Sequence, residues 1–263
     1  MEIWQAILLG AVQGFAEFLP ISSSGHLILM QRWLGVSEDG GLFFDVMLHI
    51  GTLIPVFIVF FKDILGLFQK PFKKMLFLII ASVPAALTGL LLGDVVEGAF
   101  YQGNLLSAIL LALTFLLTAT ELFFAEKMAK RNKNALPLSY KSSLIMGVAQ
   151  SIAIVPGLSR SGTVISSGTL AKLSSEDNAS FAFLMSIPVI LGAALISGYK
   201  VIKVGVQFDV VPLIFGVVTA GITGYIAIKG MLKLIKKANY KWFSLYLVIM
   251  ACASIISSVA FNI

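Results

Sequence analysis

GAVQGFAEFLPISSSGH, residues 10–26, and GVAQSIAIVPGLSRSGT, residues 147–163, decide the fold. Each starts as an apolar helical pattern, meets Pro, Gly and Ser, and then gives way to apolar sequence again. Proline removes a backbone donor, and glycine and serine loosen a helix. Lipid cannot satisfy the N–H and C=O groups that such a break frees, so the break must face protein or water. The two segments, 3–33 and 142–171 with breaks at 18–26 and 155–163, therefore predict pairs of half-helices rather than full spans.

The surrounding sequence is that of a membrane protein. Of 263 residues 58% are hydrophobic and only 12% charged, which excludes an ordinary water-soluble domain. Runs at about 41–61, 76–93, 105–124, 180–198, 210–228 and 242–260 are each long enough to cross roughly 30 Å of hydrocarbon. The formal charge of +6 does not indicate nucleic acid, because the lysines lie in short loops between apolar runs. Loops 62–75, 125–141 and 229–241 carry 4, 5 and 5 Lys/Arg, whereas 94–104 carries none and has Asp94 and Glu97. The positive-inside rule places the first three in the cytoplasm. That layout requires segment 3–33 to dip in from the outer face and 142–171 from the cytoplasmic face. Glu2 stands where a signal peptide would be basic, so the N-terminus is expected to stay in the mature chain. Cys252, the single cysteine, is expected to be inert packing.

Internal repetition agrees with this layout. At an offset of 137, Gly10, Gln13, Ser22, Ser24 and Gly25 align with Gly147, Gln150, Ser159, Ser161 and Gly162, while Pro20 meets Gly157. Further on, Pro55 matches Pro188, and Ala85-x-x-Thr88-Gly89 matches Ala220-x-x-Thr223-Gly224. The expectation is an all-α integral membrane protein forming one domain over 1–263, with repeat one at about 1–124 and repeat two at about 140–263. Each repeat would hold a re-entrant helical hairpin and three spans, giving six full transmembrane helices in all. An odd number of crossings inverts the repeats, a plan that brings broken helices together near the midplane, so the two breaks should be neighbours.

Gln13 and Glu17 are i, i+4 neighbours on one helix face and can share a pocket. A carboxylate at membrane depth is costly and is by default a functional candidate. His26 follows three serines beside a repeated break, which favours a functional role over packing. In the second break Arg160 stands among Ser159, Ser161 and Thr163 at the start of a half-helix. A guanidinium, hydroxyls and freed amides make an anion site for which phosphate is the natural guest. The competing reading of Arg160 is a structural pair with Glu17 across the repeat interface. Asp45 and His49 read as interfacial or packing groups, Glu121 and Glu126 as residues at a helix end.

Gln13-Gly14-x-x-Glu17-Phe18-Leu19-Pro20-x-Ser22-Ser23-x-Gly25-His26, together with Pro156-Gly157-x-Ser159-Arg160-Ser161-Gly162, resembles the undecaprenyl-diphosphate phosphatase family linked to bacitracin resistance. The likeness continues through Phe44-Asp45-Val46 and Phe181-x-Phe183-Leu184-x-Ser186-Ile187-Pro188. The resemblance implies a multi-pass enzyme of the bacterial cytoplasmic (inner) membrane. Such an enzyme removes the terminal phosphate of a polyprenyl diphosphate lipid, recycles the carrier for cell-wall synthesis and works with a divalent cation, Mg²⁺ or Ca²⁺. It implies catalytic roles for Glu17, Ser23, His26 and Arg160, with Glu17 and Gln13 as metal ligands. Diphosphate contacts would come from Ser22, Ser24, Gly25, Ser159, Ser161, Gly162 and Thr163. This sequence departs from the pattern twice. Gln13 stands where many members have a second Glu, and Val164 where a Thr is expected, with Thr163 one place early.

In the expected chemistry Ser23, or a water in its place, attacks the terminal phosphorus. His26 or Glu17 takes the proton, and Arg160 with the serines holds the diphosphate. A histidine nucleophile needs the same residues close together. The alternative is a lipid or small-anion transporter on the same inverted-repeat scaffold. No nucleic-acid partner is expected, and a homodimer is left open.

Overall fold

The computed structural model describes residues 1–36, 41–131, 135–204, 209–237 and 239–261. In chain order the helices are α1 (Ile3–Phe18), α2 (Ser23–Trp33), α3 (Gly41–Val59), α4 (Phe61–Leu67), α5 (Lys73–Phe100) and α6 (Leu105–Arg131). They continue as α7 (Tyr140–Ile152), α8 (Arg160–Leu170), α9 (Ser175–Leu184), α10 (Ser186–Val204), α11 (Val210–Lys237) and α12 (Lys241–Phe261). Among the described residues there is no strand, only an isolated bridge between Leu136 and Leu173.

Five helical stretches are long and apolar enough to cross a membrane: Lys73–Phe100, Leu105–Arg131, Ser175–Lys200, Val210–Ile235 and Lys241–Ala260. The bent pair Phe43–Val59 and Phe61–Leu67, which turns by 85°, makes a sixth if counted as one span. Side chains such as Leu91, Leu195 and Ile256 point outward from these helices, as lipid-facing residues do. The chain is a multi-pass membrane protein. The expected spans are all helical, but the one placed at 180–198 begins inside α9 and continues in α10. Cys252 is exposed on α12 rather than packed, which corrects the expectation for it.

Small residues decide how the helices pack, because lipid supplies no hydrophobic drive between them and close van der Waals fit must serve instead. α1 lies on α11: a Cβ at Gly10 would overlap the Gly216 carbonyl, and one at Gly14 would overlap the Thr223 hydroxyl and the Ala220 carbonyl. α7 lies on α5 in the corresponding way, with a Cβ at Gly147 falling 2.6 Å from the Ala81 carbonyl oxygen. Each broken segment thus docks on a long helix of the opposite half. The repeated Ala-x-x-Thr-Gly motif on α11 is the surface that receives α1.

Polar contacts pin the two ends of the bundle. At one end Lys200 Nζ lies 2.7 Å from Asp94 and 3.7 Å from Glu97, joining α10 to α5. At the other, the Glu126 carboxylate on α6 accepts the backbone N–H groups of Tyr240 (2.7 Å) and Lys241 (2.8 Å) and so caps α12.

Candidate active site

The first break forms because Pro20 forces its predecessor out of the helical region: Leu19 takes φ −73° and ψ 146°, and α1 stops at Phe18. Ser22, at φ 69° and ψ 98°, then caps α2, its hydroxyl accepting the N–H of Gly25. A non-glycine residue held at positive φ costs about 1–3 kcal/mol and persists only where its surroundings hold it. Here the holding contact comes from the other half of the chain, as the Gly157 N–H also donates to the Ser22 hydroxyl at 3.1 Å.

The second break turns at Gly157, φ +88°, where any side chain would run into the Thr114 hydroxyl. Two threonines of α6 satisfy the freed backbone. Thr114 donates to the Pro156 carbonyl (2.8 Å), and Thr118 donates to the Gly157 carbonyl (3.1 Å) while accepting the Ser159 N–H (3.0 Å). Ser159 caps α8 through the Gly162 N–H, and the Ser161 hydroxyl crosses to the Leu19 carbonyl at 3.1 Å. The two breaks are neighbours, as the repeat predicts. Gly25 and Gly162 allow this approach: a Cβ on Gly25 would meet the Phe115 ring and the Gly157 Cα, and one on Gly162 would press on Ser159 and Pro20.

At their meeting point sits Glu17, its side chain 3% exposed. Its Oε1 is bonded to the Arg160 guanidinium from α8. Its Oε2 accepts the Ser23 hydroxyl at 2.6 Å and the Gln13 amide N–H at 3.0 Å. His49 Nε2, on α3, lies 3.4 Å from the same oxygen. His49, expected as an interfacial or packing group, is thus brought to the site: its other ring nitrogen bonds to the Asp45 carbonyl, and the ring faces Glu17. The membrane-depth argument applied to Glu17 would have flagged it from sequence. Asp45 is buried and bonded by Gln31 at 2.6 Å.

His26 lies one turn beyond Ser23 on α2 but does not face Glu17. Its Nδ1 contacts the Ser22 carbonyl and its Nε2 the Tyr246 hydroxyl, both at 2.7 Å. Thr163, expected to touch diphosphate, donates to Glu121 at 2.7 Å. Glu121 is accordingly not a helix-end residue, since α6 runs on to Arg131. Ser24 and Ser159 stay within their own breaks, 3.4 Å from the Ser22 hydroxyl and 3.3 Å from the Ser161 hydroxyl. Val164 is buried in the main apolar core. Sequence reasoning missed Thr114, Thr118 and Tyr246, which lie in otherwise apolar spans far along the chain.

Among the described residues no group of three or more His, Cys, Asp or Glu could hold a metal ion by itself. Beside Glu17 lie the Ser23 hydroxyl, the Gln13 amide and the His49 imidazole, and Gln13 Oε1 is buried without a hydrogen-bond partner. One carboxylate, one amide oxygen and one hydroxyl suit a hard cation that brings most of its ligands with a phosphate group, the usual habit of Mg²⁺. The residues fit a cation on those terms.

A family model described as bacitracin resistance protein BacA matches residues 6–253. The chain belongs to the BacA family. It is 39% identical over 264 residues to an undecaprenyl-diphosphatase of Carboxydothermus hydrogenoformans, covering 99% of both chains. It is 38% identical to one from Thermodesulfovibrio yellowstonii, over 92% of this chain and 94% of that protein. An undecaprenyl-diphosphatase 4 of Bacillus cereus is 39% identical, over 94% of this chain and 93% of its own length.

Proposed function

We propose that the protein is a membrane phosphatase that hydrolyses undecaprenyl diphosphate to the monophosphate and inorganic phosphate, recycling the carrier lipid for cell-wall synthesis. The observation that carries this reading is the cluster of Arg160, Glu17 and Ser23, drawn from opposite halves of the chain to the N-terminal ends of α2 and α8. Phosphoryl transfer asks chiefly for positioning and for positive charge and dipoles aimed at the phosphoryl oxygens. Two helix N-termini and a guanidinium provide both.

In the substrate-free protein Arg160 neutralises Glu17. When the diphosphate arrives, Arg160 exchanges part of that pairing for phosphate oxygens, with Ser159, Ser161 and Gly162 lining the same turn. Glu17, released from its cation, then accepts the proton of the Ser23 hydroxyl as that oxygen attacks the terminal phosphorus and the bond to the bridging oxygen breaks. The lipid monophosphate leaves with that proton, and a water, deprotonated in turn by Glu17, hydrolyses the phosphoserine to inorganic phosphate and restores Ser23. Of the two proton acceptors expected from sequence, Glu17 fits better, because it already receives the Ser23 hydrogen bond at 2.6 Å. Gln13 and Glu17 would hold a Mg²⁺ or Ca²⁺ ion, whose contribution when bound is charge neutralisation on the diphosphate.

The paired half-helices, the swapped docking of α1 on α11 and α7 on α5, and the loop charges support two re-entrant hairpins entering from opposite faces of the bacterial inner membrane. A transporter of anions would need the cations but not a serine bonded to a buried carboxylate. Phosphate release from a polyprenyl diphosphate by the purified protein tests the reading, with Arg160→Ala expected to lose activity through a raised KM as well as a lowered kcat.

A further inference from the structure

His26 is held by three groups, and one of them comes from the far end of the chain. A carbonyl oxygen can only accept, so the 2.7 Å contact between Nδ1 and the Ser22 carbonyl puts the ring proton on Nδ1. The lone pair is then on Nε2, the single basic position of the ring, and it meets the Tyr246 hydroxyl at 2.7 Å. The two rings lie within 10° of parallel with centroids 5.5 Å apart. The Phe115 ring closes on the imidazole edge-on at 5.4 Å. Tyr246 stands on α12, 220 residues from His26, and is 37% exposed, so it lies between the buried imidazole and the outer surface of the bundle. A polar contact also reaches the equivalent place in the other half. At the offset of 137, His26 corresponds to Thr163, and Thr163 is likewise held by a polar side chain, Glu121, from a long helix.

We propose that Tyr246 is a positioning residue for His26: its hydroxyl donates to Nε2 and fixes where the imidazole, already in the Nδ1–H form set by the Ser22 carbonyl, sits and points. The Ser22 carbonyl sets the tautomer but cannot anchor the ring to the bundle, because it belongs to the same short turn as His26. A donor anchored on α12 ties the ring to the rest of the bundle, and with it the end of α2 that carries Ser23. The kinetic part of this proposal rests on the phosphatase reading; the protonation pattern of the ring does not.

The chain has only two histidines, so ¹⁵N-histidine spectra of the protein in detergent are assignable with a His49→Gln variant. Wild type should show His26 as a single Nδ1–H tautomer. Tyr246→Phe, which keeps the ring and removes only the oxygen, should keep that tautomer, shift the His26 Nε2 resonance as its hydrogen bond is lost, and lower kcat by about tenfold with KM within twofold. In a His26→Gln background Tyr246→Phe should cost nothing further, since the two act as a unit. An unchanged Nε2 resonance in Tyr246→Phe would overturn the proposal, as would an equal loss of turnover in both backgrounds. Wild-type protein that released no phosphate would count against the phosphatase reading and leave the Nε2 comparison to decide the role of Tyr246.

Discussion

Glu17 is the residue on which the site turns, because four side chains from four helices converge on its two oxygens. Glu17→Gln keeps the shape and removes the charge and the proton acceptor. Turnover is expected to fall by roughly 10²–10⁴, the usual contribution of a positioned acid–base group, with the protein still folded by circular dichroism. His49 is 24% exposed at its side chain and at the margin of this set. His49→Ala is expected to slow turnover less than Glu17→Gln does, by about tenfold, in the same assay. Gln13, Glu17, Ser23 and Arg160 were legible in the sequence because polar residues and breaks stand out against apolar spans. His49 was equally visible as an ionisable group at membrane depth. Its contact was not visible, because it depends on how α3 packs against α1, which no local spacing encodes. Tyr246 was harder still, as a tyrosine near the end of a span reads as an interfacial residue.

At the level of elements, the two broken segments and most long helices could be read from the sequence, while the means of holding the breaks open could not. Thr114 and Thr118 look like ordinary small residues in an apolar run, yet they satisfy the backbone of 156–159. Thr118→Val should leave the buried Ser159 N–H and Gly157 carbonyl unpaired and cost about 1–3 kcal/mol for each group, read as a lowered midpoint of unfolding in detergent. Helix contacts offer a second test. Gly14→Val must push α1 off Ala220 and Thr223 of α11. It should destabilise the protein by about 1–3 kcal/mol or more, whereas Gly66→Ala, which meets nothing within 4 Å, should leave thermal stability within about 0.5 kcal/mol of wild type. The division of the fourth span into α9 and α10 was not foreseen, since Ser186 and Pro188 sit in sequence apolar enough to read as one helix.

For the whole molecule, the account requires that the halves enter the membrane from opposite sides. Single cysteines in a Cys252→Ser background, challenged with an impermeant thiol reagent on intact cells, test this. Positions 2 and 102 should label from outside, and positions 70 and 139 only after the membrane is opened. Labelling of 2 and 139 from the same side would remove the inverted arrangement. Symmetry also explains why the site is buried from both ends: each half supplies one break, and neither break is complete without the hydroxyls and amides of the other. The most direct test of the central claim is phosphate release from a long-chain polyprenyl diphosphate by purified protein, with Mg²⁺ or Ca²⁺, for wild type, Glu17→Gln and Arg160→Ala. The account expects cation-supported release by wild type, and its loss in both variants. Wild-type turnover retained after either substitution would contradict it.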